Sequence, residues 1–401
     1  MSDSLSILKK ILFLGIVLLI LAVGAVLLDG LARLIRPPGE SDIAFSSDPD
    51  YLIELKPNRQ KSFQKSPENG SGTINWQTNS LGLRGPEPDP TASKRILVLG
   101  DSNVQARFSE LADSYCHRIE TLLNEGADEK VTVLNGGIIG NGPDQSYLRL
   151  VSRFETFKPT HVIFHVFADN DLGDLTRNGL YHRTESGELE KVQQTSDPAW
   201  VENYTNPIRR WWSTSIYTRL RYRLLALRPP KPSVQPDIPI EDRLKLCIDQ
   251  YHDYLDRKPA KSPFYDFYDY DVALDPTGES ARAKLDLVSG IFGKLATFCS
   301  ANQLPVVVVV QPSSRDLSTN LQPNYLELAE YSAEYTQRGL SDQIAEQSKM
   351  AGIATLNLFD SLAGQPDPNA LFFAGINDHW NNEGQRVASK TTAEFLKELG
   401  W

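Results

Sequence analysis

The stretch Arg95-Ile-Leu-Val-Leu-Gly-Asp-Ser-Asn103 constrains the fold more than any other. A short aliphatic run closed by Gly100-Asp101 reads as a buried parallel strand ending in a turn. Ser102 is then the first side chain presented at the carboxyl edge of an open α/β sheet, where ligands bind. A serine in that place also commonly caps the next helix, so alone it carries no chemistry.

Beyond Asn103 the chain keeps one rhythm. Asp113 to Leu123 is helical in period and begins on an aspartate suited to an N-cap. Val131-Thr-Val-Leu-Asn135 is a second strand, followed by Gly136-Gly-Ile-Ile-Gly-Asn-Gly142 and by Pro143, a good first residue for a helix reaching about Phe157. Thr160 to Phe167 is a third strand, ending at Asp169-Asn-Asp171. Ala281 to Ser300 is helical, Leu304 to Val310 is a fourth strand, and one long helix fits Tyr325 to Met350. Ile353 to Leu358 is a fifth strand, and Glu383 to Leu399 closes as an amphipathic helix. Strands alternating with helices predict a parallel five-stranded sheet with helices on both faces.

Two regions depart from this rhythm. Ile11 to Leu28 contains no charged residue and spans about 27 Å as a helix, close to the thickness of a bilayer's hydrocarbon core. Asp29 interrupts it, Leu31 to Ile35 continues it, and Pro37-Pro38 ends it. The apolar run exceeds a typical signal-peptide core, which favours an uncleaved signal anchor. Lys9 and Lys10 on one side balance Arg33 and Arg36 on the other, so charge does not set orientation. A short N-terminal tail left inside is the simpler topology, with the bulk of the chain outside the cytoplasm, periplasmic or extracellular. The second region, Leu172 to Ser280, is too long for an ordinary connection and reads as a functional insertion, a cap over the sheet edge. It carries Trp200, Trp211, Trp212 and many tyrosines, which either stack on a substrate such as a sugar or pack the cap itself. Arg209 to Arg228 interleaves arginines with Trp, Ile, Tyr and Leu, the pattern of an interfacial or a solvated helix.

The predicted organisation is a tail over 1–10, a transmembrane signal anchor over 11–36, a linker and N-terminal extension over 37–93, and a catalytic domain over 94–401 with its insertion over about 172–280. Within the extension, Asn79-Ser-Leu-Gly-Leu-Arg-Gly85 is a tight loop whose Arg84 either pairs with an acid or packs on the domain edge. A net charge of −10 over 401 residues argues against nucleic acid as a partner. Cys116, Cys247 and Cys299 have no metal or redox spacing, and their odd number leaves at least one free thiol.

The strand ends share one chemistry. The first presents Ser102, the second Gly140, the third Asn170, and Gly375-Ile-Asn-Asp-His-Trp-Asn381 follows the fifth. A serine hydroxyl needs a base to take its proton, and an imidazole does so at neutral pH. Of six histidines, only His379 falls in a loop at the expected edge, whereas His161 and His165 lie inside the third strand. The backbone N–H groups of Ser102 and Gly140 and the Asn170 amide would supply an oxyanion hole. No cluster with metal-ligand spacing occurs. The glycine loop lacks the lysine of a phosphate loop and follows the second strand, so a nucleotide is not expected.

In these four blocks, Gly100-Asp-Ser-Asn103, Gly140, Asn170-Asp171 and His379, the chain resembles the SGNH (GDSL-like) hydrolase superfamily over roughly residues 75 to 400, apart from the insertion. The Asn79 to Arg84 segment is similar to one found ahead of the serine in membrane-anchored members. The resemblance implies a flavodoxin-like three-layer α/β/α fold and ester chemistry without cofactor, in many anchored members on O-acyl groups of cell-envelope glycans. Two departures stand out. Ala168 occupies the place of a glycine before Asn170. The triad acid expected two or three residues before the histidine is missing, because those places hold Asn377 and Ile376. Asp378 becomes the candidate acid, provided a turn brings neighbouring side chains together; otherwise Asn377 or a backbone carbonyl orients the imidazole. The expected function is a serine esterase acting on acetyl or other acyl groups of an envelope glycan or related ester. One alternative is an O-acyltransferase delivering the acyl group to a glycan hydroxyl. Another is a non-catalytic glycan-binding or assembly module.

Overall fold

A computed structural model describes residues 2–35, 45–65, 72–184, 186–192, 206, 208, 211–212, 215–217, 220, 238–258, 268–318, 323–331, 333–373 and 376–401. Of residues 2–8, 35, 63–64, 323–324 and 376–378 it describes the backbone alone. The chain divides into two compact units: Met1–Ile43 with Asn206–Asp237, and Ala44–Thr205 with Ile238–Trp401.

In the first unit, helix α1 runs over Ser2–Ile35, so the tail expected ahead of the span is helical as well. Lys9–Leu34 is long and apolar enough to cross a membrane, with a mean hydropathy of 3.2.

The second unit begins with two antiparallel hairpins, β1 (Phe45–Asp48) with β2 (Leu52–Leu55) and β3 (Gln60–Gln64) with β4 (Thr73–Gln77). The region read as a linker therefore contributes structure. Glu54 on β2 is buried and receives Arg149 at 2.6 Å and the Tyr51 hydroxyl at 2.7 Å. Arg149 also donates to the carbonyl of Gly136 at 2.5 Å, which ties the first hairpin to the sheet.

The sheet is built from β5 (Lys94–Gly100), β6 (Val131–Gly137), β7 (His161–Ala168), β10 (Val306–Pro312) and β11 (Ala354–Asn357). A small hairpin, β8 (Tyr181–Arg183) with β9 (Leu189–Lys191), lies between β7 and β10 in sequence. The order across the sheet is β11-β10-β7-β5-β6 and every pair is parallel. This is the flavodoxin-like order, so the predicted three-layer α/β/α class holds. The inner strands are buried on both faces, which accounts for near-continuous aliphatic runs such as Val306 to Val310, whereas the edge strand β11 is half-buried to exposed. Ile96, Val98, Ile163, Val307 and Val309 pack in one core layer with Tyr115 and Ile119 of α3 (Tyr115–Asn124) and Val387 and Leu396 of the helix Asn382–Glu398. On the other face, Phe164 meets Phe292 of the helix Glu279–Ala301 edge to face at 6.3 Å.

The long helix expected over 325–350 is two helices, Pro323–Tyr331 and Gly339–Met350. Between them Tyr335 turns inward and its hydroxyl donates to buried Asp316 at 2.9 Å, which breaks the helical path. The insertion divides as well. Among its described residues, Leu172–Val192 and Ile238–Ser280 belong to the second unit, and 206–220 group with α1. The helix Ile240–Leu255 packs beside the helix Asp171–Asn178, and Tyr251, Tyr254, Tyr268 and Tyr270 are buried, so these aromatics pack the protein itself. Trp200 lies outside the described residues.

Candidate active site

β5 ends at Gly100, and α2 (Ser102–Gln105) begins at once. Asp101 caps this short helix, its carboxylate accepting from the N–H of Asn103 at 2.9 Å. Both glycines near the turn are there for space. A Cβ on Gly137 would lie 2.2 Å from the backbone nitrogen of Gln105, and one on Gly100 would lie 2.7 Å from Val104. Strand β6 can therefore touch the backbone of α2, which fixes the turn against the sheet.

The carbonyl end of α2 is held by side chains. Asn135 donates through Nδ2 to the carbonyl of Val104 at 2.8 Å. Arg84 is buried; it donates through Nη1 to the carbonyls of Gln105 at 2.5 Å and Ala106 at 2.6 Å, and through Nη2 to that of Ser109 at 2.6 Å. Burial pulls its guanidinium down to about 10, against the pull of Cys116 and Glu110, so it stays charged at neutral pH. Arg84 thus serves the turn that carries Ser102. Sequence reasoning left its partner open between an acid and the domain edge, because carbonyl acceptors leave no mark in side-chain types.

His379 Nε2 and Ser102 Oγ stand 2.8 Å apart. Ser102, Gly140, Asn170 and His379 are all half-buried, and Ser102 and Asn170 each sit between two buried neighbours. Gly140 follows β6 and Asn170 follows β7, the two strands that flank β5 in the sheet. Gly140 has φ +70, a conformation that favours glycine. The loop after β6 is tied to the nucleophile strand by the N–H of Ile138 donating to the carbonyl of Gly100 at 3.1 Å.

His379 lies in a strand rather than the expected loop. β13 (Ile376–Trp380) pairs antiparallel with β12 (Phe372–Phe373), Trp380 opposite Phe372. Phe108 stands edge-on to His379 at 6.3 Å and to Phe373 at 5.9 Å, giving the imidazole an apolar wall. The backbone of Asp378 is in this strand, whereas its assignment as triad acid called for a turn. Its side chain, like those of Ile376 and Asn377, lies outside the described residues.

A residue to which sequence reasoning gave no role links the two halves. Asn103 is buried, and its Oδ1 accepts from the N–H of Trp380 at 3.2 Å. Its own carbonyl accepts from Gln385 Nε2 at 3.3 Å. The residue after Ser102 thereby holds the residue after His379.

Carboxylates crowd beneath the site. Burial pushes the Asp101 carboxyl upward, opposed by the charge of His379 and by hydrogen bonds from Asn103. Asp171 is pushed well above the usual range by burial and by the nearby charges of Asp101 and Asp174. The Asn170 loop is braced from below. The N–H of Asp269 donates to the carbonyl of Asp169 at 2.6 Å, and Asp269 Oδ2 accepts from the N–H of Leu172 at 3.1 Å. Lys284, fully buried, donates to Asp269 at 2.9 Å and Asp271 at 2.8 Å. His165 is buried between Tyr115 and Trp380, and burial takes its ring down to about 3. It is neutral at physiological pH and belongs to the core.

No protein-family model matches the sequence, and no curated protein matches it. Among solved structures the chain is similar to a lipase/acylhydrolase from Enterococcus faecalis, at 10% identity and a TM-score of 0.34 over 76% of this chain and 96% of that one. It is similar to the psychrotrophic esterase EstA from Pseudoalteromonas sp. at 12% identity and a TM-score of 0.34, over 77% and 98%. An acetylxylan esterase from Geobacillus stearothermophilus matches at 12% identity and a TM-score of 0.38, over 77% and 95%.

Proposed function

We propose that this chain is a membrane-anchored serine esterase of the SGNH type. The observation that carries the reading is the 2.8 Å approach of His379 Nε2 to Ser102 Oγ at the carboxyl end of β5. In this reading the imidazole takes the Ser102 proton as Oγ attacks the acyl carbon of an ester. The N–H groups of Ser102 and Gly140 and the Asn170 amide receive the oxyanion. His379 then protonates the departing alkoxide, and water, activated by the same imidazole, releases the acid. The groups of the protein and one water supply each step. Asp378 remains the candidate for orienting the imidazole.

The helix α1 serves as a single-pass anchor with the catalytic unit outside the cytoplasm, and the substrate class is an acyl ester of a cell-envelope glycan. The test is hydrolysis of a chromogenic acetyl ester by the detergent-solubilised full chain, wild type against Ser102→Ala. Loss of acetate release in the variant supports the mechanism, and equal rates overturn it. Acyl turnover seen only when a glycan acceptor is added would assign transfer in place of hydrolysis.

A further inference from the structure

The anchor helix carries one acidic residue at the end of its uncharged run. Asp29 is fully buried, and it is the insertion that covers it. Its Oδ1 accepts from the N–H of Ile216 at 2.7 Å, while its Oδ2 accepts from Arg33 Nε at 2.6 Å. Arg33 reaches on to the carbonyl of Trp211 at 2.8 Å and lies 5.3 Å over the Trp211 ring. The Tyr217 hydroxyl donates to the carbonyl of Ala25 at 2.8 Å. Trp212 stacks on Tyr217 with ring centroids 6.5 Å apart.

Away from these contacts the same stretch offers apolar surface. Ile208 is 76% exposed, Trp212 58%, Leu220 48% and Trp211 36%. In sequence, Arg209, Arg210 and Arg219 interleave with these residues, Arg221, Arg223 and Arg228 follow them, and no acidic residue occurs between Asn206 and Gln235. Tryptophan and tyrosine beside arginine is the composition of a membrane–water interface.

The anchor also measures depth. At about 1.5 Å per helical residue, Ala25 lies about 4.5 Å inside the end of the uncharged run at Leu28, and Arg33 lies about 7.5 Å beyond it. The contacts with residues 211–217 therefore straddle the boundary between acyl chains and headgroups, whose polar zone is roughly 5–8 Å thick on each side. Pairing explains why an acid is tolerated here, since its charge is met by Arg33 and a backbone donor rather than by lipid.

We propose that Ile208, Trp211, Trp212, Ser215, Ile216, Tyr217 and Leu220 form a membrane-interface element that lies in the headgroup zone of an anionic bilayer, set at that depth by α1. This rests on the reading of α1 as an anchor. Because 206–237 belong to the anchor's unit, the chain passes between the two units three times, after Ile43, Thr205 and Asp237. The catalytic unit is thus tethered through its insertion as well as its N-terminus.

The test places the full chain in vesicles of phosphatidylcholine and phosphatidylglycerol whose acyl chains carry bromine either near the headgroup or near the tail end. Tryptophan emission is compared between wild type and a W211F/W212F variant, and retained esterase activity shows the variant folded. Shallow bromine is expected to quench the wild type, and the variant to lose most of that quenching. Equal shallow quenching in both proteins would overturn the proposal, as would stronger loss with deep bromine, which would mean full insertion. Flotation with vesicles after an alkaline wash separates the two readings. A chain that does not float sinks the anchor and this inference with it. A chain that floats with its tryptophan pair unquenched sinks this inference alone.

Discussion

The turn that carries Ser102 and the strand that carries His379 are held in different ways. The turn sits at the end of a strand flanked on both sides in the sheet, is capped by Asp101, and has four carbonyls occupied by Asn135 and Arg84. His379 sits on a strand that, among the described residues, pairs with Phe372 and Phe373 alone, with a register irregularity between them. Its other supports are the Asn103 contact to Trp380 and the Asn381 side chain, which donates to the carbonyls of Ala370 at 2.8 Å and Phe372 at 3.0 Å. Damage to the first region should appear as lost stability. Damage to the second should appear as lost rate in a folded protein.

Removing either reacting group gives the largest effect and tests whether the two regions act as one. Ser102→Ala and His379→Ala should each lower kcat by about 10⁴-fold or more, and the double variant should be no worse than either. Additive losses in steady-state kinetics would mean they act separately.

Next comes the asymmetry itself. Arg84→Ala leaves buried carbonyls without donors and should cost on the order of 3 kcal/mol, read as a lower denaturation midpoint. Asn103→Leu instead frees the base strand. It should lower kcat by about 10²-fold, with a smaller shift in midpoint than Arg84→Ala. The reverse ranking of the two midpoints would break the comparison.

Asp378→Asn probes how the imidazole is oriented. A kcat loss comparable to that of His379→Ala identifies Asp378 as the orienting acid. A loss of about tenfold or less hands the task to Asn377 or to the backbone.

The smallest effect extends the comparison to the short helix Ser314–Leu317 after β10. Burial pushes the Asp316 carboxyl up to about 8, eased by hydrogen bonds from Tyr268 and Tyr335. An unfolded aspartate titrates near 4, so between about pH 4 and pH 8 the folded chain holds a proton that the unfolded chain has released. That stabilisation is complete at the acid end and is lost as pH rises through about 8. Asp316→Asn keeps an acceptor for both tyrosines and cannot ionise. Its melting temperature should fall less than that of wild type between about pH 5 and pH 9, and parallel curves would refute the assignment.

Much of this protein was legible in its sequence. Aliphatic runs and helical periods marked all five sheet strands, because burial on both faces imposes a local composition. The apolar run ahead of Asp29 marked α1 by composition alone, since its length and hydropathy are legible without any tertiary contact. Residue type at the strand ends singled out Ser102 and His379.

Tertiary structure decided the rest, wherever the partner is distant or is backbone. The strand carrying His379 exists because Phe372 and Phe373 pair with it, and two residues are too few to leave a pattern. The expected single helix over 325–350 breaks because Tyr335 is drawn to Asp316, a contact that periodicity cannot register. Arg84 binds carbonyls, which every residue has, so no spacing could name its role. The insertion read as one cap divides because part of it covers Asp29, and that acid's need for a partner inside an apolar helix is met from almost two hundred residues away. A sequence records which faces must be buried and which groups can react. Only the fold brings a distant donor to a given acceptor.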